Sequence, residues 1–252
     1  IEQVGNLLDN LEVYWTLTFG NHDSETIFGA VYDRQGLSDK IQEEFADSPY
    51  CLFKKGSVYG TANQVINVKG TDGAIRQSVL VVDSNDYVTP IEAVVHEKGL
   101  VDFYDCVHQD QLDFFKAQYA KGNIKDGALA YLHIPFTEFD EIAADDARIL
   151  IGVREEDSYS PLHDLDDNTY KVFKEIKVLS ATVGHDHINS FIAKYEDMYI
   201  GYTQTSDYFS YKGIANRSIH GGLVTTLTED GTVYMQQVFA DSALDSKQIA
   251  LN

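Results

Sequence analysis

Apolar positions recur along the chain in two periods, and each period predicts a different element. Ile1, Val4, Leu7, Leu8 and Leu11 stand at the three-and-four spacing of one helix face, so residues 1–11 are predicted to form an amphipathic helix. Ile41 and Phe45, four apart, predict a short charged helix over residues 39–46. Leu112, Phe115 and Tyr119 share one face of a helix over residues 108–119, and residues 169–176 give another. Between these lie short runs of β-branched, aromatic and aliphatic residues that suit a sheet: 12–19, 64–68, 76–83, 128–132, 177–183 and two strands within 190–202. Runs 64–68 and 76–83 are predicted to pair across Gly70-Thr71-Asp72-Gly73. Runs 223–228 and 232–238 are predicted to form a terminal hairpin across Glu229-Asp230-Gly231. Residues 88–105 read as an irregular surface loop, 140–161 as acidic and weakly patterned, and 203–208 as a polar loop. Strands alternating with helices, ending in a β-rich stretch, make an α/β pattern. With no repeat or linker, the 252 residues are expected to form one domain.

Charge and cysteine content narrow the function classes. Lys and Arg number 19 against 40 Asp and Glu, a formal net charge of -21. Such a chain offers no basic surface for DNA, RNA or an anionic membrane, so no nucleic-acid partner is expected. A phosphate-handling site in so acidic a protein would need metal ions to attract its substrate. Cys51 and Cys106 fit neither a metal spacing nor a disulfide framework, and at most one bridge between them is open. No run approaches the ~18 apolar residues of a membrane span. The chain opens on Ile1, not Met, in mid-helix pattern, so its natural N-terminus is expected to lie upstream. The sequence favours neither a cytoplasmic nor a secreted location, and it indicates no oligomeric state.

The candidate chemistry sits at strand ends. Residues 177–183 run into Gly184-His185-Asp186-His187. Two imidazoles one residue apart in a turn can serve two points a few ångströms apart, and in open α/β sheets ligands bind at that carboxyl edge. Residues 12–19 end the same way in Gly20-Asn21-His22-Asp23, and residues 128–132 end in His133-Ile134-Pro135. Imidazoles and an amide oxygen suit borderline ions such as Zn, Fe or Mn. Three apolar strands ending alike favour a metal site over incidental loop histidines. His96, His108, His163 and His220 are read as hydrogen-bonded or surface residues.

These motifs, in this order, resemble the calcineurin-like metallophosphoesterase superfamily, in particular its purple acid phosphatase-like branch. The resemblance includes residues 83–87 (Asp-Ser-x-x-Tyr), Gln111 with Phe115, residues 133–139, and Gly184-His185-Asp186-His187 with Asn189. It implies a four-layer β-sandwich flanked by helices. It also implies hydrolysis of a small phosphorylated substrate, with a hydroxide activated by two divalent or trivalent ions attacking phosphorus in line. Position by position, Asn21, His133 and His185 resemble the ligands of one metal, and His187 resembles a ligand of the other. His22 resembles the histidine that steadies the transferring phosphoryl group or protonates the leaving oxygen. Asp23 and Asp186 are candidates to orient these imidazoles.

The family pattern also opens with Asp-x-His and Gly-Asp-x-x-Asp, and neither occurs here. Asp105-Cys106-Val107-His108 has the wrong spacing for them. The chain is therefore expected to be an N-terminally incomplete piece of the domain, binding metal weakly when alone. Substrate preference is expected in loops, with Lys212 and Arg217 as candidate phosphate contacts. Two rivals remain: a non-catalytic binding or scaffold domain with a degenerate metal site, and a mononuclear metallohydrolase.

Overall fold

The computed structural model describes residues 1–25, 31–88, 104–124, 126–154, 165, 168–206 and 220–252. Strands β1 (Gln64–Lys69) and β2 (Ile75–Val81) pair antiparallel, with Ile66 opposite Val79. The turn between them needs Gly73, whose φ of +78° is costly for any residue with a Cβ. From β2 the sheet runs parallel through β3 (Ala128–Tyr131), β5 (Val178–Val183) and β7 (Met198–Tyr202). It then turns antiparallel into β6 (Ser190–Tyr195) and β4 (Ile149–Val153). The order is β1-β2-β3-β5-β7-β6-β4. The expected α/β class is therefore observed as a large mixed sheet with flanking helices.

The apolar runs of β3 and β5 are what a parallel sheet covered on both faces requires. On one face lie α3 (Gln109–Gly122), α4 (Phe139–Ala143) and α5 (Thr169–Glu175), which bring Leu112, Phe115, Phe139, Ile142, Val172 and Phe173 into one core with Leu80, Ala130, Ala181 and Ile200. On the other face lies a three-stranded sheet of β10 (Ile249–Ala250), β9 (Val233–Phe239) and β8 (Gly221–Leu227). Its Val233 and Met235, with Leu251, pack on Leu129, Ile151 and Ile192. A further core joins Trp15 and Phe19 to Ile41, Phe45, Phe53 and Ala62, beside α1 (Glu2–Asn10) and α2 (Arg34–Glu44).

Two expectations fail, each for a tertiary reason. Residues 12–19 do not form a strand: Trp15 makes one parallel bridge to Cys51, through Trp15 N to Tyr50 O at 2.9 Å and Leu52 N to Trp15 O at 2.8 Å. A strand needs a ladder, and among the described residues only this short piece lies alongside. Most of the α1 stripe faces solvent, with Val4 60 % and Leu7 56 % exposed, while Leu8 packs on the Trp15 core and Gly5 lies against the rings of Phe45 and Trp15. The weakly patterned stretch 140–161 contains α4 and the edge strand β4, which alternates poorly because one edge and part of one face meet solvent. Cys51 and Cys106 are free thiols, so no bridge joins them. Lys212, Arg217, His96 and His163 lie outside the described residues.

Candidate metal centre

Parallel pairing of β3 with β5 brings their carboxyl ends side by side, where Leu132 N donates to Thr182 O at 3.1 Å and Gly184 N to His133 O at 3.2 Å. His133 and His185 thus leave neighbouring strands at one edge. Ser84, beyond β2, accepts the backbone N–H groups of His133 at 3.2 Å and Ile134 at 2.7 Å, which fixes the exit of that chain. Glycine flanks the His133 ring twice: a Cβ on Gly20 would come within 3.0 Å of it, and one on Gly184 within 3.2 Å. His185 adopts a left-handed backbone, φ +73°, which turns its ring toward His133.

Asn21 enters the same place although its run is not a strand. It is 1 % exposed, and the Gly20 N–H holds its turn by donating to Asp23 Oδ2 at 2.7 Å. Asn21 Oδ1 lies 2.8 Å from His133 Nε2 and 3.1 Å from His185 Nδ1, and the two ring nitrogens are 3.4 Å apart. Ligands at about 2.0–2.2 Å from an ion stand roughly 3–3.5 Å from one another, so these three donors suit a shared ion. Burial, followed by neighbouring charges led by His185 and Arg34, lowers the His133 pKa to about 3. Burial, then His22 and His187, lowers that of His185 to about 4. Both rings are therefore neutral near pH 7 and keep the lone pair a metal needs.

The other predicted residues gather less tightly. His22 is exposed, with Nδ1 2.9 Å from Glu25 Oε2, and its charge is felt at both His133 and His185. The charge of His187 is felt at the same two rings. Among the described residues, however, no group of three His, Cys, Asp or Glu donor atoms within 4.8 Å of one another includes His187. Asp186 is buried and accepts from Ile188 N at 3.2 Å and from the Asn189 side chain. Burial pushes its pKa up. The bonds described for Asp23 and Asp186 thus shape the turns that carry the histidines.

Several contacting residues were not among those expected to hold or orient the metal ligands. Tyr87 accepts the Asn21 amide N–H at 2.8 Å, Tyr104 stands edge-on to His185 with centroids 4.3 Å apart, and Arg34 donates to Gly20 O at 2.9 Å. Tyr87 closes the Asp-Ser-x-x-Tyr motif, a signal that pointed to it without saying what it does. A cavity of about 390 Å³ opens beside this turn, lined by Ser24, Arg34, Gln35, Tyr59 and Asp86 among others.

Among the described residues one group of metal-ligating type lies elsewhere. Asp105, Cys106 and His108 hold an oxygen, a sulfur and a ring nitrogen within 4.8 Å of one another. His108 Nε2 lies 2.9 and 3.1 Å from the two Asp105 oxygens, and Cys106 Sγ donates to Leu165 O at 3.2 Å. The His108 side chain also accepts a backbone N–H in the capping box of α3, while Gln111 Oε1 accepts His108 N at 2.8 Å. With one ring nitrogen accepting at the helix end, the other carries the hydrogen given to Asp105.

No family model matches this chain. It is 29 % identical over 190 residues to an uncharacterised protein of Schizosaccharomyces pombe, covering 73 % of this chain and 31 % of that protein. It is 26 % identical over 222 residues to probable inactive purple acid phosphatase 29 of Arabidopsis thaliana, covering 79 % of this chain and 52 % of that protein. The likeness to a phosphatase-type protein is distant. The chain spans about a third and about half of the lengths of these two relatives. Among the described residues no helix is long and apolar enough to cross a membrane.

Proposed function

We propose that this protein is a metal-dependent hydrolase of small phosphate esters, of the calcineurin-like metallophosphoesterase type. The observation that carries the reading is the convergence of Asn21 Oδ1, His133 Nε2 and His185 Nδ1 at 2.8–3.4 Å, with both rings held neutral. Two neutral imidazoles and an amide oxygen fit Zn, Fe or Mn. His187 would serve a second ion. On this reading the large sheet, the small sheet and the two sets of helices form one four-layer domain. Ions held there by Asn21, His133, His185 and His187 would supply charge neutralisation at the phosphoryl oxygens and acidify the attacking water. His22, exposed and braced by Glu25, gives a proton to the leaving oxygen. Asp23 and Asp186 hold the turns that aim these imidazoles, and Lys212 and Arg217 remain candidate phosphate contacts.

A second reading is favoured by the name of the Arabidopsis relative, which calls that protein inactive. A scaffold domain with a degenerate metal site would share its motifs and lack turnover. A mononuclear hydrolase would use the three converging donors alone. Metal analysis of the full-length protein separates the three at two ions, none or one per chain. Hydrolysis of p-nitrophenyl phosphate with added Mn tests the first directly. His22→Ala is expected to keep the bound metal and lower the rate roughly 10²–10⁴-fold. Full activity in that variant would remove His22 from the mechanism.

A further inference from the structure

Asn21 alone among the three converging donors has two chemically different ends to present. Its oxygen can ligate an ion, whereas its NH₂ group can only donate hydrogen bonds. In the structure the NH₂ group donates to the Tyr87 hydroxyl at 2.8 Å, which leaves Oδ1 facing His133 and His185. The charge of Glu25, the residue that braces His22, is felt at the same Tyr87 hydroxyl. The ring of Tyr87 is held in turn by stacking on Tyr104, centroids 5.6 Å apart.

The backbone of Asn21 is gripped from the other side. Arg34 Nη1 donates to the carbonyl of Gly20, the peptide that enters Asn21, at 2.9 Å, and Nη2 pairs with Asp83 Oδ1. Asp83 is fully buried; its Oδ2 receives the backbone N–H of Thr61 at 2.8 Å and of Ala62 at 3.1 Å. The guanidinium lies 5.3 Å from the centre of the Phe19 ring, two residues before Asn21. A buried ion pair is a weak source of net stability, because desolvating both charges offsets most of their attraction. What the pair does provide is a fixed point for the turn, joined to the end of β2 and to the 61–62 loop.

We propose that Tyr87 and the Arg34–Asp83 pair are positioning residues that hold Asn21 with its carbonyl oxygen turned toward His133 and His185. The proposal rests on reading those three residues as metal ligands. Outer partners of this kind typically contribute 10–100-fold to metal affinity.

Co²⁺ titration of the full-length protein, followed by visible absorption, tests both levels. The wild type is expected to bind Co²⁺ and develop a ligand-field spectrum; if it binds none, the metal reading fails and this proposal with it. Tyr87→Phe removes one oxygen and keeps the ring, so the fold should persist by circular dichroism. Its Co²⁺ affinity is expected to fall roughly 10–100-fold with a changed spectrum. Arg34→Met is expected to do the same, and Arg34→Lys to recover part of the loss. Wild-type affinity and spectrum in folded Tyr87→Phe and Arg34→Met would overturn the proposal. If Arg34→Met does not fold, Tyr87→Phe decides alone.

Discussion

Among the described residues two groups of metal-ligating side chains stand out, and they differ in what else their atoms bond. At the ends of β3 and β5, two imidazoles and an amide oxygen meet at 2.8–3.4 Å, and burial keeps both rings neutral. Before α3, Asp105 and His108 bond each other, Cys106 donates to a backbone carbonyl, and His108 accepts at the helix end. Tyr59 stacks on the His108 ring at 3.7 Å and 9°. The second group matches a metal site in donor type and spacing, yet its donors already serve the helix cap and one another.

The contrast is sharpest in metal affinity. His133→Ala is expected to weaken Co²⁺ or Zn²⁺ binding by more than the roughly 10–100-fold that outer partners contribute, while His108→Ala leaves it unchanged. Equal losses in a calorimetric titration would erase the distinction.

Acid should act on the first group next most strongly. His133 and His185 have folded values of about 3 and about 4, below the ordinary 6.5 of an exposed ring. Between these limits the unfolded chain takes up protons that the folded protein refuses, so metal-free stability rises with pH. The contribution is complete above about 6.5 and is lost as pH falls toward the folded values, at up to about 1.4 kcal/mol per pH unit for each ring. Urea midpoints measured from pH 7 to pH 5 should fall more steeply in the wild type than in His133→Gln. Identical slopes would mean that the ring is not held neutral by the fold.

Stability, not metal, should report on the second group. His108→Ala leaves the buried Asp105 carboxylate short of a partner and is expected to cost about 1–3 kcal/mol in urea unfolding. Tyr59→Leu, which removes the stacked ring, is expected to cost about 0.5–1.5 kcal/mol. A larger loss for Tyr59→Leu than for His108→Ala would place the weight of this group on stacking and not on hydrogen bonding.

Much of the candidate site was legible from local pattern. His133 and His185 follow apolar runs that do become β3 and β5, because a buried parallel strand is apolar along its whole length. Asn21 was singled out on a different ground that failed: residues 12–19 look like a strand but have only a single bridge. It reaches the site because its turn is gripped by Arg34 and Tyr87, residues 13 and 66 positions away. The roles of Asp23 and Asp186 were expected at imidazoles, and the bonds described for them go to their own turns. Short polar side chains close to the backbone often find a local donor first.

The sequence by itself determined most of the helices and the strands of the two hairpins and the parallel core, the acidic net charge and the three places where ligand-type residues leave an apolar run. Those follow from periodicity and charge, which act over a few residues. Only the tertiary structure decided which face of α1 meets the protein, that residues 140–161 contain an edge strand, and which end of the Asn21 amide turns inward. Each of these depends on partners distant in the chain. A side chain's lone pairs are directed by whatever the fold sets against them, and no local pattern contains that information.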